Sequence, residues 1–202
     1  MNKSYQQITP GIPDSEFVRG NVPMTKEEVR TITIAKLKLC KDDVFLDIGA
    51  GTGSVSVEVA RLIPTSKVYA IEHKAEAVEL IKQNAAKFEL TNIEVIHAKA
   101  LEALENVNGV NKIFIGGSSG QLEGIINWIV TNCSVGTRIV INAVTLDTLF
   151  EAKKQFANSV FSKPEIIQMG ITKVETVAGV DMMRAHSPIF IITTELIKTK
   201  KI

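Results

Sequence analysis

The stretch Asp47–Ala60, DIGAGTGSVSVEVA, sets Gly49, Gly51 and Gly53 between an apolar run and a segment of helical character. The run before it, DVFLDIG from Asp43, is short and apolar, as expected of a strand buried on both faces. Glycines at that junction permit a tight turn and close approach of the backbone to a ligand. The helix behind them offers free N–H groups at its start. In a parallel α/β sheet, ligands bind beyond the carboxyl ends of the strands, where this loop would lie.

The same rhythm runs outward from the loop. After a helix through Arg61, KVYAIE (67–72) reads as a second strand, and AEAVELIKQNAAKF (75–88) carries Val78, Ile81, Ala85 and Phe88 on one helical face. IEVIHA (93–98) is a third strand, followed by a short helix near Leu101 to Leu104. VNKIFIGG (110–117) is a fourth strand, LEGIINWIVTNC (122–133) a helix, GTRIVINAV (136–144) a fifth strand and TLFEAKKQFA (148–157) the last clear helix. EIIQMGITKV (165–174) and PIFIITTEL (188–196) have no helix between them and suit an antiparallel pair at one edge. Strands alternating with helices predict a doubly wound, mostly parallel seven-stranded α/β sheet closed by an antiparallel C-terminal hairpin. Upstream, residues 1–24 contain Pro10, Gly11, Pro13 and Pro23 and read as an irregular arm. TKEEVRTITIAKLKL (25–39) reads as a helix, with Thr25 and Glu28 at capping-box spacing. The core then spans 43–202, and the whole is one domain.

Composition narrows the class. The chain has 202 residues, 45% hydrophobic and 22% charged, an ordinary globular balance. A formal net charge of +1 gives no broad basic field, and aromatics are only 5%, so nucleic-acid binding is not favoured. Cys40 and Cys133 are far apart and lack ligand spacing, so neither a disulfide framework nor a zinc site is expected, and a reducing cytoplasm fits. No signal peptide or membrane span is read in the sequence.

Two ligand classes compete for the glycine loop. Dinucleotide sites use G-x-G-x-x-G, but the third glycine here comes one position early. Asp47 followed by G-x-G-x-G instead resembles motif I of class I S-adenosylmethionine-dependent methyltransferases. There Asp47 helps orient the loop and the amino-acid end of the cofactor. Glu72 closes its strand nineteen residues beyond Gly53, about where a ribose-binding carboxylate is expected. Its two oxygens can accept from both ribose hydroxyls. After the third strand, Lys99 stands where many such enzymes place an Asp for the adenine amino group. Lysine cannot accept, which leaves the Ala100 N–H to serve adenine.

Three segments together, GIPDSEFVRGNVPMTKEEVR, DIGAGTGSVSVEVA and FIGGSSGQLEGI, resemble the decarboxylating corrinoid C-15 methyltransferases of cobalamin biosynthesis, over nearly the whole chain. The resemblance implies a class I methyltransferase that moves a methyl group from S-adenosylmethionine to carbon 15 of a corrinoid tetrapyrrole and releases the ring-C acetate carboxyl as carbon dioxide. It implies a homotetramer; a separate C-5 methylase is a partner of the alternative in which this chain is a noncatalytic subunit. Carried over by motif, the cofactor residues are Thr25, Gly49, Ala50, Gly51, Thr52, Gly53, Glu72 and Ala100. Ser187 replaces the family's usual Asn before the last Pro, and KVETVAGVDMMRA is only loosely family-like.

Such chemistry needs alignment of a carbon nucleophile more than a proton-transfer triad, and His73, His97 and His186 form no recognisable constellation. No catalytic residue and no metal ligand is assigned. A polycarboxylate substrate calls for cations and backbone donors. Gly116, Gly117, Ser118 and Ser119 at the end of the fourth strand can form an anion-binding nest, or a plain strand-to-helix turn. Arg19, Lys26 and Arg30 flank Met24–Thr25 and can clamp carboxylates, or remain solvated surface charges; Arg184 is a further cation, and Trp128 is assigned to the core. The alternatives are a class I methyltransferase of protein or tRNA, and a noncatalytic cofactor-binding subunit. Against amino methylation, IGGSSG occupies the position of the Asn/Asp-Pro-Pro-Tyr motif. A dehydrogenase is disfavoured by the loop spacing.

Overall fold

A computed structural model describes residues 9–198. Each predicted strand and helix of the alternating region forms. In chain order these are α1 (Glu27–Leu37), β1 (Phe45–Ile48), α2 (Ser54–Leu62), β2 (Val68–Glu72), α3 (Ala75–Lys87), β3 (Ile93–His97), α4 (Ala100–Ala103), β4 (Lys112–Ile115), α5 (Leu122–Asn132), β5 (Arg138–Ala143) and α6 (Leu146–Phe156). The C-terminal part adds β6 (Glu165–Met169), β7 (Thr172–Val177), β8 (Val180–Ala185) and β9 (Ile189–Glu195). The main sheet has seven strands in the order β3-β2-β1-β4-β5-β9-β6. β1 to β5 are parallel, and β9 runs antiparallel between β5 and β6.

Alternation along the central strands feeds two apolar layers. Leu46 and Ile48 of β1, with Ile139, Ile141 and Ala143 of β5, pack under α5 and α6. Phe45 of β1 and Val140 of β5 face the other way, against Val29 of α1 and Val55 and Val59 of α2. Every residue of β1, β2 and β5 is buried, which is why these strands read as continuous apolar runs. Trp128 packs on the α5–α6 side, as expected.

Two expectations need correction, and a third is refined. The C-terminal pair is right for β6 and β9, but the first strand stops at Met169 and the chain between them builds a second hairpin. β7 and β8 pair only with each other, as a separate two-stranded sheet. The run through Gly170 concealed that break. The capping box also fails: α1 begins at Glu27 with Lys26 in the cap position and no side-chain cap. Asp14 Oδ1 accepts the Glu27 N–H at 3.0 Å instead, and Glu28 pairs with Lys173 of β7 at 2.7 Å. Finally, the arm is irregular but well anchored from Pro10 onward; residues 1–8 lie outside the described part.

Arg30 provides that anchor. It is fully buried, with Nε donating to Glu58 Oε1 at 2.6 Å and Nη1 to Asp14 Oδ1 at 3.2 Å. It also donates to the carbonyls of Thr25 and Ile12, and its guanidinium lies 4.7 Å from the Phe17 ring centre. Glu58 in turn accepts the N–H groups of Gly11 and Ile12. A buried charge is tolerated only when paired and hydrogen-bonded in this way. The arm is thereby drawn across the carboxyl ends of the strands.

Candidate active site

The loop after β1 turns through three left-handed glycines, Gly49 (φ 73°), Gly51 (φ 58°) and Gly53 (φ 76°). Gly49 and Ala50 both donate N–H bonds to the Ile71 carbonyl at 3.0 Å, which ties the loop to β2. A Cβ on Gly49 would stand 2.5 Å from the Gly117 carbonyl oxygen, so the β1 and β4 loops touch backbone to backbone. A Cβ on Gly51 would stand 3.0 Å from the Pro23 carbonyl oxygen, so the arm closes over the loop.

Glu72, at the end of β2, holds this arrangement. Its Oε2 accepts the Gly51 N–H at 3.0 Å, while Oε1 accepts the N–H groups of His73 and Lys74 at 2.8 and 2.9 Å. His73 Nδ1 lies 3.1 Å from Oε1. Asp47 is different. Pointing to the α2 side of β1, it is completely buried, and Oδ2 accepts the Ser56 hydroxyl at 2.6 Å while Oδ1 has no partner. Burial pushes its pKa up to about 7, the Ser56 bond opposes that, and the nearby Glu72 charge adds to it.

Gly49, Ala50, Gly51 and Glu72 line one cleft of about 540 Å³ beyond the strand ends, while Asp47 is buried beneath the loop and is not part of its wall. One half is walled by Gly49, Ala50, Gly51, Glu72, Lys99 and Ala100. The other half is walled by Gly116, Gly117, Ser118, Ser119 and Asn142, with Phe114, Val144 and Ile189 as apolar surface. Thr25 and Lys26 bring the arm to the same cleft. Most of the residues singled out in the sequence therefore converge on one space. Thr52 and Gly53 are buried behind it and shape the turn: the Thr52 carbonyl accepts from Asn84 at 2.9 Å, and Gly53 packs on Ile81. Arg30 is consumed by Glu58 and Asp14, and so cannot clamp a substrate carboxylate. Arg19 is exposed and lies off the cleft wall; Arg184 sits on β8 beside Glu175, away from the site.

Two contributors were not read from the sequence. Val22, Pro23 and Met24 of the arm form cleft wall, and no periodicity marks an irregular segment for that role. Asn142 lines the floor; its signal was one amide inside the apolar run RIVINAV.

A seven-stranded sheet of this order, a motif I loop and an acid ending β2 define a class I methyltransferase. Residues 16–195 match the family of the precorrin methyltransferase domain. A probable cobalt-precorrin-6B C(15)-methyltransferase (decarboxylating) of Sulfurisphaera tokodaii is 42% identical, over 92% of this chain and 97% of its own. The crystal structure of a precorrin-6Y C5,15-methyltransferase from Geobacter metallireducens superposes with a TM-score of 0.86 at 36% identity, covering 93% and 96% of the two chains. A precorrin-8W decarboxylase from Methanobacterium thermoautotrophicum gives 0.85 at 32% identity, covering 91% and 98%. The chain belongs to the precorrin methyltransferase family.

Proposed function

We propose that this chain methylates carbon 15 of cobalt-precorrin-6B, or the corresponding cobalt-free ring, and removes its ring-C acetate carboxyl as carbon dioxide. S-adenosylmethionine is the methyl donor. The reading rests on one observation above all: the glycine loop is fastened to Glu72 in a cleft whose second half is left open for a large acceptor.

The residues present suit that cofactor. Gly49 and Gly51 sit where a Cβ would meet backbone, so the loop is built for close approach. Glu72 has only one of its two oxygens on the loop and keeps accepting capacity for ribose hydroxyls. Asp47 lies buried under the loop and off the cleft wall, with one oxygen lacking a partner among the described residues, so it serves the amino-acid end by shaping the loop. Lys99 adds a cation where an acceptor for adenine is common, and leaves that recognition to the Ala100 N–H. When bound, the cofactor supplies an activated methyl group. The chain's own task is to hold the acceptor carbon in line and to exclude water, since an electron-rich ring needs no base to be nucleophilic. Thr25, Lys26, Ser118 and Ser119 offer donors to the substrate's carboxylates.

The enzyme is proposed to work in the cytoplasm, with methylation of carbon 5 left to a separate methylase. Among the described residues no helix is long and apolar enough to cross a membrane. A homotetramer is proposed as well. In its support, Val174 and Met183 are 66% and 80% exposed on one face of the lone hairpin and Val180 is 63% exposed on the other, and these two strands have no other sheet partner among the described residues.

The test is calorimetric titration with S-adenosylhomocysteine of the wild type and of Gly51→Arg, followed by turnover of cobalt-precorrin-6B read by mass spectrometry. Binding by the wild type alone, with a methylated and decarboxylated product, is expected. Cofactor binding without turnover of any corrinoid would favour a noncatalytic subunit instead.

A further inference from the structure

Asn142 is an anomaly on its own strand. In β5, Ile139, Ile141 and Ala143 face the α5–α6 layer, while Val140 faces α1 and α2. Asn142 follows the Val140 side, toward α1, and is 8% exposed at the cleft floor. Its one side-chain partner among the described residues is Thr33 of α1, itself fully buried. Both amide atoms, Oδ1 and Nδ2, lie 3.1 Å from the Thr33 hydroxyl. A hydroxyl has one proton, so it satisfies one edge of the amide. A second N–H and a carbonyl lone pair remain for whatever enters the cleft. A buried amide with hydrogen-bonding capacity left over is destabilising unless a ligand completes it.

The surroundings say what that ligand is. Ala143 pairs with Phe190 across the sheet, so Val144 and Ile189 follow beside one another at the rim. With Phe114 they give the cleft an apolar wall beside Asn142; of the cations that line the cleft, Lys26 already pairs with Asp14 at 3.6 Å, and Lys74 and Lys99 follow β2 and β3 on the cofactor side. A neutral donor in such a setting holds a carboxylate without the strong ground-state stabilisation of a salt bridge. We propose that Asn142, oriented by Thr33, is the subsite for the carboxylate that the enzyme removes. This rests on the corrinoid reading above. In the step itself the bond between the acetate methylene and the carboxylate breaks, and its electron pair passes into the conjugated ring. Carbon dioxide leaves, and the exocyclic carbon takes a proton from solvent. Asn142 fixes the carboxylate in one orientation, and the apolar wall keeps water from stabilising its charge. Thr33 acts through Asn142 and is a positioning residue.

The experiment uses the full chain with cobalt-precorrin-6B, counting methyl groups gained and carboxyl groups lost by mass spectrometry. Asn142→Leu is expected to bind S-adenosylhomocysteine like the wild type and to raise KM about tenfold, the loss of one hydrogen bond to a charged group. Its product should include methylated ring that still carries the carboxyl. Thr33→Val should move in the same direction by less, and Thr33→Ser should restore the wild-type ratio of carbon dioxide released to methyl transferred. Asn142→Ser, smaller but polar, replaces the leucine variant if that one does not fold. An unchanged ratio and KM in the Asn142 variant would overturn the proposal. So would loss of S-adenosylhomocysteine binding in both variants, because the residue would then serve the cofactor side or the fold. A wild type that binds S-adenosylhomocysteine but turns over no corrinoid defeats the functional reading itself, and is told apart by that control.

Discussion

Glu72 Oε2 accepts the Gly51 N–H at 3.0 Å, so the acid that ends one strand fixes the loop that ends its neighbour. The same carboxylate takes the His73 and Lys74 N–H groups on its other oxygen. It is therefore already oriented before any hydroxyl reaches it, and little side-chain entropy is left to lose on binding. Glu72→Gln keeps the shape but removes the charge and one acceptor. S-adenosylhomocysteine affinity should fall roughly 10- to 100-fold, the range for a hydrogen bond to a charged group. Calorimetry reads this directly; an unchanged affinity would mean that the ribose lies elsewhere.

Gly49 and Gly117 make a second test, of shape rather than charge. In Gly49→Ala the new methyl would meet the Gly117 carbonyl oxygen at 2.5 Å and its nitrogen at 2.8 Å, at a φ of 73°. Backbone cannot yield as a side chain tip can, so a loss of about 2–4 kcal/mol is expected from overpacking plus left-handed strain. At Gly117 nothing lies within 4 Å of a built Cβ and its φ is not positive. Gly117→Ala should shift stability by no more than about 0.5 kcal/mol, the usual range for open positions. Urea unfolding of the two variants side by side decides the matter.

Why so much of this was legible follows from which forces act locally. The strands β1, β2, β4 and β5 are buried on both faces, so hydrophobicity alone wrote them as apolar runs, and the loop glycines are demanded by φ and close contact. Arg30 shows the opposite case. Its sequence neighbours, Lys26 and Glu27, mark an ordinary charged helix surface, and nothing local reveals that Glu58 and Asp14 meet it from distant segments. The same holds for Thr25 and Glu28: their spacing fits a capping box, but a carboxylate thirteen residues before Glu27 took the capping role. The β7–β8 hairpin was missed because its residues are exposed on both faces and so carry no burial pattern.

The buried Arg30–Glu58 pair predicts a non-additive mutant series. Removing Arg30 leaves Glu58 unpaired in a dry site, removing Glu58 leaves Arg30 to pair with Asp14 alone, and Glu58 additionally holds the N–H groups of Gly11 and Ile12. Arg30→Met alone should cost about 3–5 kcal/mol, as for other broken buried pairs. The double variant Arg30→Met with Glu58→Met should lose clearly less than the sum of the two singles, since the lone charge disappears with its partner. Because the arm also lines the cleft, S-adenosylhomocysteine affinity should weaken in the single variants. Denaturant midpoints together with calorimetry would separate the two effects, and strict additivity would speak against the pair as the arm's anchor.

Asp47 predicts a stability slope with pH. Its folded pKa is raised to about 7, first by burial, against an ordinary value of 3.8. Between those values the folded chain keeps a proton that the unfolded chain has released, so stability falls as pH rises through that window and levels off above about 7. The group alone would account for roughly 4 kcal/mol across the window, at 1.36 kcal/mol per pH unit. Asp47→Asn keeps a partner for Ser56 and cannot ionise, so its stability should gain on the wild type as pH rises from 4 to 7. Above about pH 7, where Asp47 is ionised, the same variant should bind S-adenosylhomocysteine less tightly, for want of an anion under the loop. Parallel slopes for the two proteins would show that Asp47 does not titrate in this range.

The lone hairpin predicts the state of assembly. Two strands by themselves are marginal in water, and β7 and β8 each present one edge with unpaired backbone groups. Val174 and Met183 are cross-strand neighbours on one face of the hairpin and Val177 and Val180 on the other, exposed apolar groups that are costly to leave wet. A second copy offers the same edge and the same residues, so self-association would satisfy both needs at once; one such two-fold contact closes a dimer, and the proposed tetramer needs a second interface. Sedimentation of the wild type should give a tetramer at micromolar concentration. Val174→Glu combined with Met183→Glu places like charges on that surface and should weaken association by more than about tenfold. Neither residue lines the cleft, so cofactor binding should persist in the dissociated protein. A double variant that remains tetrameric would move the interface off the hairpin, and a monomeric wild type would remove the need for one.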